Sequence, residues 1–148
     1  MSPKGRKPVL VVGVFDLFHR GHVELLRRAS KFGSPLCVII NGDRLTKAYK
    51  GRKPLMSEDD RLAVVSACRY VDSGIISNSY DVKPAIERFG IKVIVHGDDW
   101  PRASYLQQIR VSEDYMARKG IKLALTPYWK GESTTKLIRR IKQGVRED

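Results

Sequence analysis

Short apolar runs rich in Val, Ile and Leu recur at residues 8–15, 35–40, 73–77, 91–96 and 122–126, and stretches of helical period stand between them. In the first run Val9, Leu10, Val11 and Val12 are consecutive, so the strand they form is buried on both faces, as in a parallel sheet covered by helices. The alternation of such strands with helices restricts the chain to an α/β class, a Rossmann-like doubly wound parallel sheet with right-handed crossovers. At 148 residues one domain is expected, over residues 8–143, between a flexible basic leader at 1–7 and a short tail at 144–148.

The helices are placed by period and caps. Leu25, Leu26, Ala29 and Phe32 recur at helical spacing over residues 22–32, and Gly33 ends the pattern. Ser57, followed by Glu58, Asp59 and Asp60, reads as a cap with acids in the first turn, opening a helix to about residue 68 or 70. Asp81 opens another that ends near Gly90. Residues 104–119 read as a single helix, and Ser133 caps a last, basic one to Gln143. The polar, lysine-rich stretch 44–56 reads as a mobile loop.

The first strand runs into Gly13-Val14-Phe15-Asp16-Leu17-Phe18-His19-Arg20-Gly21-His22, where a helix begins. Three residues apart, His19 and His22 share one side of that helix start, close to its exposed N–H groups. Such an end attracts anions, phosphate above all, and imidazoles add further donors. Gly21 has no Cβ, so a ligand can approach the backbone. In a sheet of this class ligands bind beyond the carboxyl ends of the strands. Asp43, the pair Asp98 and Asp99, and residues 131–135 all follow strands, so four regions, the histidines among them, converge on one edge.

The formal net charge of +12 calls for polyanionic partners. Apart from Tyr49, the basic clusters at residues 4–7, 47–53 and 136–142 hold no aromatic, short of the interleaving of a base-stacking platform, which argues against nucleic acid and for small phosphorylated molecules. Cys37 and Cys68 are too few and too separated for a disulfide framework or a zinc site, and a reducing cytoplasm is the expected setting. The basic start followed by an apolar run lacks a small-residue cleavage site, and no run approaches the roughly 18 residues of a membrane span.

Four segments in order, Phe15-Asp16-Leu17-Phe18-His19-Arg20-Gly21-His22, Arg69-Tyr70-Val71-Asp72, Gly97-Asp98-Asp99-Trp100 and Gly131-Glu132-Ser133-Thr134-Thr135, resemble the cytidylyltransferase family of HxGH nucleotidyltransferases. The likeness covers nearly everything from residue 9 to residue 141, and residues 97–100 are most similar to those of the members that use glycerol 3-phosphate. It implies that a phosphorylated alcohol attacks the α-phosphorus of CTP, giving a CDP-alcohol, here CDP-glycerol, and pyrophosphate. Mg2+ would accompany the triphosphate, and no metal ligand is singled out. The resemblance gives catalysis to His19, His22 and Lys50. Nucleotide binding falls to Gly13, Val14, Phe15, Gly21, Gly97, Asp99, Lys130, Gly131, Ser133 and Thr134. The acceptor side is lined by Asp16, Asp43, Lys47 and Arg69, and a homodimer is implied with its contact near residues 69–72.

Two departures stand out. Relatives commonly carry Arg-Thr-Glu before the last glycine, where this chain has Tyr128-Trp129-Lys130, so Lys130 is the expected substitute cation, without a bidentate fork. Val14 stands where a threonine is frequent. Two other readings of the chain are an adenylyltransferase using ATP with FMN or a heptose phosphate, and a basic nucleic-acid-binding module on a nucleotide fold. Steeply salt-dependent oligonucleotide binding without pyrophosphate release would mark the latter.

Overall fold

In the computed structural model residues 6–144 are described. Most of the expected leader and tail therefore lie outside the described residues; within them, Arg6 donates to the Ser34 hydroxyl at 3.3 Å and so touches the body. The strands are β1 (Val9–Gly13), β2 (Leu36–Asn41), β3 (Ser73–Ser77), β4 (Val93–Gly97) and β5 (Lys122–Thr126). The helices are α1 (Arg20–Ser30), α2 (Asp43–Lys50), α3 (Glu58–Ser66), α4 (Lys83–Phe89), α5 (Arg102–Gln108), α6 (Glu113–Lys119) and α7 (Thr134–Gln143).

All strand pairs are parallel, in the order β3-β2-β1-β4-β5. The chain winds outward from β1 to β3, then returns to β4 beside β1. That reversal opens a crevice at the carboxyl ends of β1 and β4, where open α/β sheets bind ligands. The consecutive apolar residues of β1 divide between the two faces as expected. Val9 and Val11 pack with Leu26, Ala29 and Val65 on the α1 and α3 side, while Leu10 and Val12 pack with Ile86, Tyr105 and Met116 on the α4 to α6 side. Side chains such as Leu10, Leu26 and Ile94 are fully buried, and each contributes about 1.5–3 kcal/mol. Among the described residues no helix is long and apolar enough to cross a membrane.

Three expectations are corrected. The basic stretch expected as a loop is helical up to Lys50, because Leu45 and Thr46 are buried and Tyr49 is half-buried on one face of α2. Gly51, at φ 81°, supplies the left-handed cap that ends it. The single helix expected over 104–119 is two: Ile109 and Val111 both enter the core, an alternation a continuous helix cannot provide, and Arg110 between them turns left-handed at φ 61°. Ser112 then caps α6 by accepting the Tyr115 N–H at 3.0 Å. Finally, β1 ends at Gly13, and α1 begins at Arg20, two residues before the expected start.

Candidate active site

The loop from β1 to α1 is tightly built. Phe15 and Leu17 take left-handed backbone angles, φ 57° and 50°, which cost energy in non-glycine residues and are held by the packing around them. Phe15 is buried, and its ring covers Gly13 so closely that a Cβ there would stand 2.8 Å from it. The same ring lies 5.3 Å from the His22 ring, and Phe18 stacks on His22 at 5.5 Å. Phe15 therefore holds His22 and packs over Gly13, Val14 gives its carbonyl to Arg61, and none of the three lines the cleft.

His19 is the N-cap of α1. Its Nδ1 accepts the Gly21 N–H at 3.0 Å, while His22 Nδ1 accepts the His19 N–H at 3.1 Å. This is a capping box in which imidazoles replace the usual hydroxyl and carboxylate. With both Nδ1 lone pairs accepting, each neutral ring carries its proton on Nε2, the outward donor. The rings lie 3.8 Å apart between centroids. A Cβ on Gly21 would stand 2.7 Å from the His19 ring and 3.2 Å from the Glu132 carbonyl, so α1 and the α7 loop close together only over glycine.

Burial, the neighbouring His19 and the Lys50 ammonium push His22 down to about 3. Burial also lowers His19, an effect that Glu132 opposes. Lys50 is itself lowered, by desolvation and by Arg52, with Asp16 acting in the other direction. Because the His22 imidazole titrates near 6.5 once unfolded, the unfolded chain binds the proton first, and the fold loses stability as the pH falls from about 6.5 towards 3. Urea midpoints are expected to drop between about pH 7 and pH 5, at up to about 1.4 kcal/mol per pH unit from this group. His22→Gln should flatten that slope; an unchanged slope would show that His22 is not its source.

The histidines open onto a cleft of about 260 Å³. One wall is α1, through Gly21, Leu25 and Arg28. The opposite wall is His96, Gly97 and Asp99 at the end of β4, and the rim runs from Thr126 to Trp129 and on through Glu132, Ser133, Thr134 and Thr135. Ser133 caps α7 by accepting the Lys136 N–H at 3.1 Å, and the Thr134 hydroxyl donates to the Asp16 carbonyl at 2.9 Å. The first turn of α7 thereby aims free N–H groups at the cleft beside those of α1.

Of the expected residues, His19, His22, Gly21, Gly97, Asp99, Ser133 and Thr134 share this cleft. Lys50, Lys47, Lys130 and Gly131 do not line it, although Lys50 is near enough to influence His22. Asp16 is buried, and its carboxylate accepts the N–H groups of Leu55 at 2.7 Å and Met56 at 2.9 Å, clamping the loop after α2. Asp43 pairs with Arg61 at 2.7 Å. Arg69 stands at the other edge of the sheet, because Asp72 bonds the first residue of β2 in both directions, through Leu36 N–H at 2.7 Å and Leu36 C=O at 2.9 Å.

Sequence reasoning passed over His96, Arg28 and Leu25. His96 directly precedes the Gly97-Asp98-Asp99 turn at a strand's carboxyl end, which was signal enough. It stacks on Tyr105, with centroids 3.9 Å apart, and its buried Nδ1 has no partner. Leu25 and Arg28 follow Gly21 at four and seven residues, the spacing of one helix face.

A parallel sheet with its cleft at the strand reversal, two helix N-termini and paired imidazoles defines a nucleotide-binding domain built to handle phosphates. The pattern of the family described as cytidylyltransferase-like matches residues 10–140, and the chain belongs to that family. It is 44% identical over 91 residues to an ethanolamine-phosphate cytidylyltransferase of Arabidopsis thaliana, covering 60% of this chain and 22% of the relative. The bifunctional protein HldE of Campylobacter concisus is 33% identical over 150 residues, covering 100% of this chain and 30% of the relative. The chain thus spans less than a third of either relative. The crystal structure of a lipopolysaccharide core biosynthesis protein from Thermoplasma volcanium superposes with a TM-score of 0.66 at 26% identity, over 84% of this chain and 100% of that one.

Proposed function

We propose that the chain transfers CMP from CTP to a small phosphorylated alcohol, releasing pyrophosphate. The observation that carries this reading is the pair of imidazoles that line the cleft at the start of α1 beside the start of α7, each with its Nδ1 taken by the backbone and its Nε2–H left to donate. A phosphate oxygen of the acceptor bonds to the α-phosphorus as the bond to the bridging oxygen breaks, and the electron pair leaves with pyrophosphate. The acceptor phosphate is largely dianionic near neutral pH and needs no general base. Catalysis is then positioning and charge stabilisation. His19 and His22 hold the phosphate oxygens, the N–H groups of α7 hold the far end, and Lys50 closes over the reacting centre from the end of α2.

Among the described residues no three His, Cys, Asp or Glu side chains converge as a metal cage. Mg2+ would accompany the triphosphate as its counter-ion, supplying charge neutralisation on the leaving pyrophosphate. For the acceptor, the Gly97-Asp98-Asp99-Trp100 segment supports glycerol 3-phosphate, and the names of similar proteins add phosphoethanolamine. A cytoplasmic homodimer is the expected working form, and light scattering tests its mass.

Pyrophosphate release from a grid of CTP, ATP, UTP and GTP against glycerol 3-phosphate, phosphoethanolamine, phosphocholine, a heptose phosphate and FMN tests the proposal. The expected result is turnover with CTP and one of the first three acceptors. Turnover confined to ATP, or none with any pair, would overturn it.

A further inference from the structure

The cleft has one full positive charge among its lining residues, and it is not the lysine that the sequence suggests. Lys130 lies outside, its carbonyl accepting the Lys136 ammonium at 2.7 Å. Tyr128 and Trp129 reach the rim, and the guanidinium over the Trp129 ring, that of Arg20 at 5.2 Å, is not among the lining residues. Arg28 lines the opposite wall, half-buried, and its Nη1 donates to the Pro127 carbonyl at 2.6 Å. The α1 wall and the rim just after β5 are therefore joined through a guanidinium.

The place of Arg28 along α1 decides what it can touch. From Gly21, at the phosphate end, to Arg28 is seven residues on the same helix face, or about 10 Å. That is the reach of a ribose and a pyrimidine ring beyond the α-phosphate, with Leu25 between them as an apolar wall for the ring. A guanidinium has five N–H donors and a carbonyl oxygen has two lone pairs, so the Arg28–Pro127 contact leaves both groups able to bond further. Donor and acceptor then stand side by side at the solvent-open rim of the cleft.

That pairing matches one base edge. Cytosine presents its O2 and N3 acceptors next to the 4-amino donor. Uracil presents an N3–H donor and an O4 acceptor at the last two positions, so it would set donor against donor at Arg28 and acceptor against acceptor at Pro127. We propose that Arg28, with the Pro127 carbonyl, is the base-reading element of this chain, taking the place of the arginine absent from residues 128–130. This rests on the reading of the cleft as a CTP site.

The test is equilibrium calorimetry on the full chain with CTP, UTP, ATP and inorganic triphosphate, for wild type, Arg28→Met and Arg28→Lys. Wild type is expected to bind CTP more tightly than the other nucleotides. Arg28→Met should weaken CTP about tenfold or more, the loss of a charged hydrogen bond, and bring CTP and UTP together. Inorganic triphosphate, which has no base, should lose much less. Arg28→Lys keeps the charge without the fork and should also fail to separate CTP from UTP. A CTP to UTP ratio that survives both substitutions overturns the inference alone, as does an equal loss for inorganic triphosphate. A wild type without a preference for CTP overturns the functional reading and this one with it. If Arg28→Met does not fold, seen as loss of triphosphate binding together with a lost thermal transition, the ratio in Arg28→Lys decides.

Discussion

His22→Ala is expected to lower the rate of pyrophosphate release at saturating substrates by about 10²-fold or more, because it removes a preorganised donor at a centre where charge develops. The substitution also removes the acceptor for the His19 N–H, so part of its effect is on the start of α1, a capping loss of about 1 kcal/mol. His22→Gln separates the two. Glutamine at the third helical position is an ordinary capping-box partner and restores the reciprocal bond, so the urea midpoint should recover while turnover stays low. Turnover within a few-fold of wild type in either variant would remove His22 from the reaction.

The largest effect on stability is expected at Arg61. This residue is fully buried, and its guanidinium donates to the carbonyls of Met56 at 3.0 Å, Val14 at 2.7 Å and Asn41 at 2.7 Å, and to Asp43 at 2.7 Å. It ties the ends of β1 and β2 and the start of α2 to α3, beneath the cleft. Arg61→Met leaves three carbonyls and a carboxylate without their donor and should cost about 3–5 kcal/mol in urea unfolding. Arg61→Lys should recover little, since an ammonium cannot span four acceptors in a fixed fork. A loss below about 1 kcal/mol for Arg61→Met would mean that water or a shifted backbone takes over these groups.

The strands, the crossovers and the edge of the sheet that carries the cleft were legible because they depend on local pattern. Val9 to Val12 are apolar without interruption, Ser57 and Ser133 stand where helices start, and each chemistry-bearing segment follows a strand. Arg61 was not legible, since a charged residue in an exposed-looking helix gives no sign that four acceptors surround it. Nor was the burial of Asp16, whose carboxylate serves the backbone of Leu55 and Met56 from 39 or more positions away. In residues 44–50 the lysines and arginine concealed a helix carried by Leu45, Thr46 and Tyr49. Lys130 and Arg28 show the same limit: adjacency in sequence favoured the lysine, and helix geometry put the arginine into the cleft.

Two histidines three residues apart on a helix have the look of a chelating pair. In this chain the main chain has already taken the two lone pairs that a metal ion would need, one through the Gly21 N–H and one through the His19 N–H. What remains outward is a proton on each ring, which repels a cation and attracts an anion. The start of α1 as built thus favours an anion over a cation at neutral pH, and transition-metal ions should compete for it only after the first turn of the helix has come undone.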